Sequence, residues 1–368
     1  MTQADDFRFM ALALRLAERG LYTTDPNPRV GCVLVKNGEV VGQGWHEHAG
    51  EAHAEIVALR EAGSAAQDAT AYVSLEPCCH TGRTPPCSDA LIKAGVKRVV
   101  VAMEDPNPQV AGKGVAQLRE ADIDVDIGVM TAQAEALNPG FVQRMRHGRP
   151  FVRCKMAMSM DGRTALASGE SKWITGEPAR QDVHHLRARS SVIVTGIGTV
   201  LADDPSMNAR LESKEVLQPA RVILDSELKI PVNAKILTSP GRIIVCTTAD
   251  AVKGNEEKIK ILRTAGAELV QLQKENDKIS LPALLMYLNA ENFNDVLLET
   301  GATLNDAFLQ AGLIDEMVIY MAPVLMGDAA RGLVALPDIS RMSDVCKLDI
   351  LDVRAVGKDW RIVAKPVL

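Results

Sequence analysis

Apolar residues recur along this chain at two alternating periods. In DDFRFMALALRLAERG, Phe9, Leu12 and Leu16 fall at helical spacing. Asp5 and Asp6 can cap that helix, which is predicted to run to about Glu18 and to stop at Gly20. Beyond the loop TTDPNP, the runs VGCVLVK and EVVGQGW flank Asn37-Gly38, a strong hairpin signal. EAHAEIVALREAG reads as a helix ending at Gly63. TAYVSL reads as a strand that runs straight into a Pro/Gly-rich loop. A helix CSDALIKAG and a strand KRVVVAM follow. A helix near Val115–Ala121, a strand DVDIGV and a helix from Thr131 to about Arg144 complete the first half.

The stretch RHGRPF, residues 146–151, separates this series from a second one. We therefore expect domains at 1–147 and 148–368. FVRCKMAMS opens the second series as a strand. SVIVTG, ARVILDS, GRIIVCT, AELVQL, DVLLET and DEMVIYMAP continue it, with helices between. KLDILDVRAVG and DWRIVAKPV read as an antiparallel pair near the end. Strands alternating with helices this regularly imply an α/β architecture in both halves. The stretch Asp203–Ala220 has the weakest pattern and reads as a long functional loop.

Composition narrows the function. A chain of 368 residues suits two domains. With 47% hydrophobic residues and a net charge of −6, it is not a disordered chain. A pI near 5.7 argues against coating nucleic acid or an anionic membrane. Small anionic ligands stay open, since they need only a few cations or backbone N–H groups. The acidic start lacks the positive charge of a signal peptide, and no apolar run approaches the roughly 18 residues of a membrane span. A soluble, cytoplasmic protein is expected.

Seven cysteines without a secretion signal disfavour a disulfide framework. Cys32, Cys154, Cys246 and Cys346 stand alone and read as buried, inert thiols. Cys78, Cys79 and Cys87 cluster with His80 in EPCCHTGRTPPC. Upstream, His53-Ala-Glu55 opens a helix. One imidazole and two thiolates, His53, Cys78 and Cys87, make a three-ligand set for Zn²⁺ with the fourth position open to water. Zinc lowers the pKa of that water towards neutrality. Glu55 is placed to shuttle its proton to a leaving amine. Zinc deaminases carry H-x-E followed by P-C-x-x-C. The first part is present here, but the cysteines are separated by eight residues. Cys78 follows Pro77 as that motif requires; Cys79 and His80 remain alternatives, and a four-ligand structural site is the bland reading.

HAE…EPCCHTGRTPPC resembles the deaminase half of the bacterial bifunctional riboflavin-biosynthesis deaminase–reductases, whose second cysteine follows a longer loop of this form. DPNPRVGCVLV resembles that family's N-terminal substrate loop. The resemblance implies that Asn27, His80 and Arg83 face the pyrimidine or its ribose phosphate. In the second half there is neither a G-x-G-x-x-G after the first strand nor a Walker loop. KMAMSMDGRTA, SGESKWITG, VTGIGTVLADDP and ETGATLNDAFLQAG together resemble the family's reductase half, and the match covers nearly the whole chain in the family's domain order.

The implied fold is a cytidine-deaminase-like three-layer domain followed by a dihydrofolate-reductase-like α/β domain. The implied cofactors are Zn²⁺ and NADPH. Ala157, Trp173, Thr199, Asp203 and Ser226 would line the NADP site, and the turn Gly301, Ala302, Thr303, Leu304, Asn305, Asp306 would hold its phosphates. Ser171, Arg187, Met207, Arg210 and Glu299 would face the substrate, the two arginines suiting a ribose 5-phosphate. Lys155 and Asp203 are the ionisable candidates for proton delivery, with Asp204 able to replace Asp203 and Asp161 reading as a turn residue. The implied activity is hydrolytic deamination of 2,5-diamino-6-ribosylamino-4(3H)-pyrimidinone 5′-phosphate, then reduction of its ribosyl group. The expected partner is that small phosphorylated pyrimidine, with neither nucleic acid nor membrane; a homo-oligomer, first of all a dimer, is expected because two-domain α/β enzymes of this sort are often dimers. One rival is a nucleic-acid deaminase with a C-terminal binding module; 4% aromatics and no RNP-like aromatic strand count against it. A zinc-stabilised scaffold without activity is the other.

Overall fold

The computed structural model describes residues 2–79, 86–212, 215–336 and 339–367. The chain divides into two compact units, Met1–Arg149 and Pro150–Leu368.

The first unit runs α1 (Gln3–Ala17), β1 (Gly31–Lys36), β2 (Glu39–Trp45), α2 (Ala54–Ala62), β3 (Thr70–Val73), α3 (Cys87–Lys93), β4 (Arg98–Val101), α4 (Lys113–Glu120), β5 (Asp124–Ile127), α5 (Thr131–Leu137) and α6 (Pro139–His147). Thr2 rather than Asp5 caps α1. Its hydroxyl accepts the Asp5 N–H, and the Asp5 carboxylate accepts the Thr2 N–H, so Asp5 closes the capping box. The Asn37-Gly38 hairpin forms with positive φ at both residues. The helix expected from Thr131 to Arg144 is two helices. Pro139 starts the second, and the side chain of Asn138 is turned to pair with both backbone groups of Arg29.

The strands form one sheet in the order β2-β1-β3-β4-β5, antiparallel about β1 and parallel from β3 to β5. One face buries Phe9, Met10 and Phe141 of α1 and α6 against Val33, Tyr72 and Val100. The other buries Ala58, Leu91 and Leu118 of α2, α3 and α4 against Leu34, Val73 and Val101. This is a three-layer sandwich. Helix α2 sits unusually close to the hairpin. A Cβ on Gly42 would lie 2.3 Å from the Ala58 carbonyl oxygen, and one on Gly44 2.6 Å from that of Ala54.

The second unit runs β6 (Phe151–Ser159), β7 (Arg163–Ala165), α7 (Glu177–Ala188), β8 (Val192–Gly196), α8 (Ile197–Asp203), β9 (Ala220–Leu224), β10 (Ile243–Thr247), α9 (Ala249–Val252), α10 (Glu256–Thr264), β11 (Ala267–Gln271), β12 (Lys274–Glu275), β13 (Lys278–Ile279), α11 (Leu281–Ala290), β14 (Asp295–Leu298), α12 (Ala302–Gln310), β15 (Glu316–Ala322), β16 (Arg331–Gly332), β17 (Lys347–Val356) and β18 (Asp359–Val367). Nine strands form one sheet in the order β11-β10-β9-β8-β14-β6-β15-β18-β17. The first seven are parallel, and the expected antiparallel pair β17–β18 closes one edge. The short pairs β7–β16 and β12–β13 have no alternating signal in the sequence. Helices α7, α8 and α10 cover one face and α11 and α12 the other. Insertion of β14 between β8 and β6 creates a topological switch point. In open α/β sheets, ligands bind at such a point, outside the carboxyl ends of the strands. Among the described residues, no helix is long and apolar enough to cross a membrane.

Candidate metal centre and candidate nucleotide cleft

His53 is the N-cap residue of α2, so its imidazole leaves the chain before the first helical turn. Cys78 follows β3 and Cys87 opens α3. Their side chains converge: His53 Nδ1 lies 3.2 Å from Cys87 Sγ and 3.6 Å from Cys78 Sγ. The three donor atoms lie within 4.8 Å of one another, a spacing that fits one zinc with ligands at about 2.0–2.3 Å. Cys79 is not in this group and is half-buried. His80 and Arg83, expected at the substrate, lie outside the described residues.

The two thiols share one proton. The hydrogen bond from Cys87 holds the Cys78 pKa down at about 4, and the same bond pushes Cys87 up. Zinc binding to such a pair releases that proton. The hydrogen bond with Cys78 also raises the pKa of His53. Glu55 is only 3% exposed, and burial raises its carboxyl pKa to about 7. At that value it can both accept and donate a proton near neutral pH. Cys32 packs in the same interior with its thiol kept neutral by burial. Cys154 and Cys246 are likewise buried, whereas Cys346 is half-buried.

Two supports of this centre have no signature in the sequence. The buried Glu76 carboxylate accepts the backbone N–H groups of Asp105, Gly112 and Val115. It thereby ties the segment entering Cys78 to the start of α4. His46, 2% exposed, places Nδ1 3.1 Å from the Ala52 carbonyl, which makes Nδ1 the N–H donor. Nε2 then accepts from Asn27 Nδ2 at 3.0 Å, leaving the Asn27 carbonyl oxygen as a fixed acceptor. Beside Glu76, a Cβ on Gly114 would lie 2.0 Å from the Pro77 carbonyl oxygen. Gly114→Ala must therefore displace the segment carrying Cys78. We expect a stability loss of about 1–3 kcal/mol in thermal unfolding and faster zinc release to a chelator.

In the second unit, Ala157, Thr199, Ser226, Glu299 and the Gly301 turn lie at or just beyond the carboxyl ends of β6, β8, β9 and β14. Gly196 caps α8 and Gly301 caps α12, neither with a side-chain hydrogen bond to the helix. A Cβ on Gly301 or Gly198 would meet nothing within 4 Å. Their small size therefore serves no internal packing. The free N–H groups of the longer helix, α12, suit a phosphate. Within that turn Asn305 faces inward: its Oδ1 accepts from the Thr300 hydroxyl at 2.5 Å and from the Cys154 thiol at 3.4 Å. Asp306 accepts from Gln310. Ala157 lies towards the end of β6, Thr199 is in α8, and Ser226 follows β9, its Oγ accepting the Ile279 N–H. Trp173 is 71% exposed, with the Arg180 guanidinium 4.7 Å above its ring.

Arg187 makes a bidentate pair with Glu299, at 2.6 and 2.8 Å, and donates to the Asn208 carbonyl at 3.3 Å. Burial acts to raise the Glu299 pKa, but the charge and hydrogen bonds of Arg187, together with Lys155, hold it down at about 2. Burial lowers the Lys155 pKa, opposed mainly by Glu299. Lys155 thus lies in the field of Glu299 first. Asp203 pairs instead with Lys172, 3.1 Å away, a residue absent from the sequence reading although it neighbours Ser171. Asp204 points to Lys235, whose N–H it accepts at 2.8 Å. Asp161 is the turn residue expected of it, accepting the N–H groups of Met326 and Gly327. Met207 is buried with φ 47°, and Arg210 is exposed beside Asn208 and His184.

Residues 150–362 match the family described as RibD C-terminal domain. Residues 3–103 match the cytidine and deoxycytidylate deaminase zinc-binding region. The riboflavin biosynthesis protein RibD of Escherichia coli K12 is 46% identical over 365 residues, covering 96% of this chain and 97% of that protein. The RibD of Haemophilus influenzae is 47% identical over 375 residues, covering 99% and 98%. Among solved structures, Acinetobacter baumannii RibD superposes with a TM-score of 0.92 at 48% identity over 99% of both chains. A diaminohydroxyphosphoribosylaminopyrimidine deaminase/5-amino-6-(5-phosphoribosylamino)uracil reductase from Thermotoga maritima gives 0.86 at 31% identity over the same shares. A zinc-type donor set in one α/β unit, a mostly parallel sheet with a switch point in the next, and relatives matched from end to end place this chain in the RibD family, the bifunctional deaminase–reductases of riboflavin biosynthesis.

Proposed function

We propose that residues 1–147 hydrolyse the 2-amino group of 2,5-diamino-6-ribosylamino-4(3H)-pyrimidinone 5′-phosphate. Residues 148–368 then reduce the ribosyl group, giving 5-amino-6-(5-phospho-D-ribitylamino)uracil. The convergence of His53, Cys78 and Cys87 beside the buried Glu55 carries the first step. When bound, zinc supplies a water acidified towards neutral pH. Glu55 takes a proton from water and passes it to the departing amine. Water's oxygen replaces the nitrogen at the carbon, and ammonia leaves. Asn27, oriented by His46, offers its carbonyl oxygen to a ring N–H.

For the second step, NADPH supplies hydride when bound. We assign its phosphates to the α12 N-terminus and Gly301, and Ala157, Trp173, Thr199 and Ser226 to the rest of the same cofactor. The ribosyl ring opens to an imine, C1′ takes the hydride and the nitrogen takes a proton. Lys155 and Asp203, the latter held by Lys172, are the groups we assign to that proton. Ser171, Met207, Arg187, Arg210 and Glu299 face the substrate. A homodimer is also proposed; the outer strand β17 supports it, with Ile350 and Leu351 each more than 60% exposed.

The direct test supplies zinc-loaded protein with the diaminopyrimidine and NADPH. Ammonia release should precede NADPH oxidation, and chelation of zinc should stop both when starting from this substrate. Supplied instead with the deaminated intermediate, the chelated protein should still oxidise NADPH. Loss of that second reaction on chelation would overturn the assignment of one reaction to each unit.

A further inference from the structure

Helix α7 carries His184 three residues before Arg187, so the two side chains leave the same face. The His184 ring is held against Arg210 at both nitrogens. Nδ1 lies 3.3 Å from the Arg210 backbone nitrogen, and Nε2 lies 3.1 Å from Arg210 Nη2. Both of those partners are donors. A neutral imidazole offers one acceptor and one N–H. The Asn208 carbonyl accepts the ring N–H, so the other ring nitrogen accepts from one Arg210 donor and leaves the second without an acceptor on the ring.

The charges around this contact point the same way. His184 faces Arg187 from its own helix, Arg210 and the Asn208 carbonyl from the loop after α8, and Glu299 from the end of β14. Burial, then Arg187 and Arg210, lower its pKa to about 4, with Asn208 and Glu299 opposing. Lys155 stands beside Glu299, and Lys172 is balanced by Asp203. Positive charge thus exceeds negative charge in the cluster, which suits an anionic ligand.

We propose that His184 is a ligand of the substrate's phosphate together with Arg187 and Arg210, and that binding this phosphate is coupled to protonation of the His184 ring. The proposal rests on the reading that the cleft takes a ribose 5-phosphate group. With Asn208 taking one ring N–H, a phosphate oxygen that enters as Nε2 and Arg210 Nη2 move apart accepts from both, so each nitrogen of a protonated ring has an acceptor. Burial first, and then the two guanidiniums, keep the ring neutral; the phosphate's charge offsets the guanidiniums, so the ring takes up a proton from solvent as the anion enters.

The test is calorimetric titration of ribose 5-phosphate into the full chain at about pH 7.5, in two buffers of different ionisation heat. There the phosphate is already mostly dianionic, its second pKa being about 6. Net proton uptake on binding, a measurable fraction of one proton per phosphate, is expected. Affinity should then fall by up to about tenfold per pH unit once pH exceeds the bound ring's pKa. His184→Asn should bind about tenfold more weakly, with neither the uptake nor the pH slope. Binding by the unaltered chain without proton uptake would overturn the proposal, and so would an unchanged uptake in His184→Asn. The anion site itself would fail, and the proposal with it, if ribose 5-phosphate did not bind or bound equally well to Arg187→Met/Arg210→Met. The measurement on the unaltered chain stands even if a variant misfolds.

Discussion

Glu55→Gln is expected to lower ammonia release by between a hundredfold and ten-thousandfold, the usual contribution of a positioned proton-transfer group. The substitution keeps size and burial but removes the titrating oxygen. Glu55 lies outside the donor set, so zinc content should not change. Oxidation of NADPH with the deaminated intermediate should also be unchanged. Ammonia assay and metal analysis on the same preparation check this directly. Loss of zinc along with activity would assign Glu55 to the metal's coordination rather than to proton transfer.

Glu299→Gln is expected to cost the second unit about 3–5 kcal/mol, because it leaves Arg187 buried without its counter-charge. NADPH oxidation should be lost while ammonia release persists. The pH dependence has a defined sign. The folded-state pKa of Glu299, about 2, lies below the 4.5 of an ordinary glutamate, so the ionised form stabilises the fold. That contribution, about 3 kcal/mol, is fully present above about pH 4.5 and is lost as pH falls towards 2. Glu299→Gln should therefore flatten the acid limb of the unfolding curve, read by circular dichroism. An acid limb identical to that of the unaltered chain would show that Arg187 does not hold this carboxylate.

The metal centre was the most legible part of the sequence. Zinc ligation requires particular atoms, and His53, Glu55, Pro77 and Cys78 keep a short local grammar. Cys79 remained an alternative because adjacent residues cannot be separated by spacing alone; in the structure the Cys78 side chain reaches His53 and Cys87. Glu76 sits in the same EPC string, yet nothing local shows that its carboxylate gathers N–H groups 29, 36 and 39 residues downstream. That information exists only once β3 and α4 are packed.

The second unit was legible as a succession of strands, since parallel strands buried on both faces read as continuous apolar runs. Its site was legible only through family resemblance, because no short motif marks it. The switch point depends on β14 returning between β8 and β6, a long-range event without a local signal. The partners of its charges followed the same rule. Lys172 and Asp203 are separated by about thirty residues, and Arg187 and Glu299 by 112. The break at Asn138 was missed for another reason: helical periodicity continued across it, and the deciding contact is with distant Arg29.

The close seating of α2 on the hairpin bears on how the metal is loaded. With no side chains at Gly42 and Gly44, the helix that begins at His53 is fixed by backbone contact with the strands. His53 is thus placed by packing of α2, whereas the ligands of a zinc finger gain their places from the ion. Metal-binding energy is then not required to seat this helix. A chain starved of zinc would keep α2 on the hairpin and meanwhile hold a reductase with no deaminated substrate reaching it.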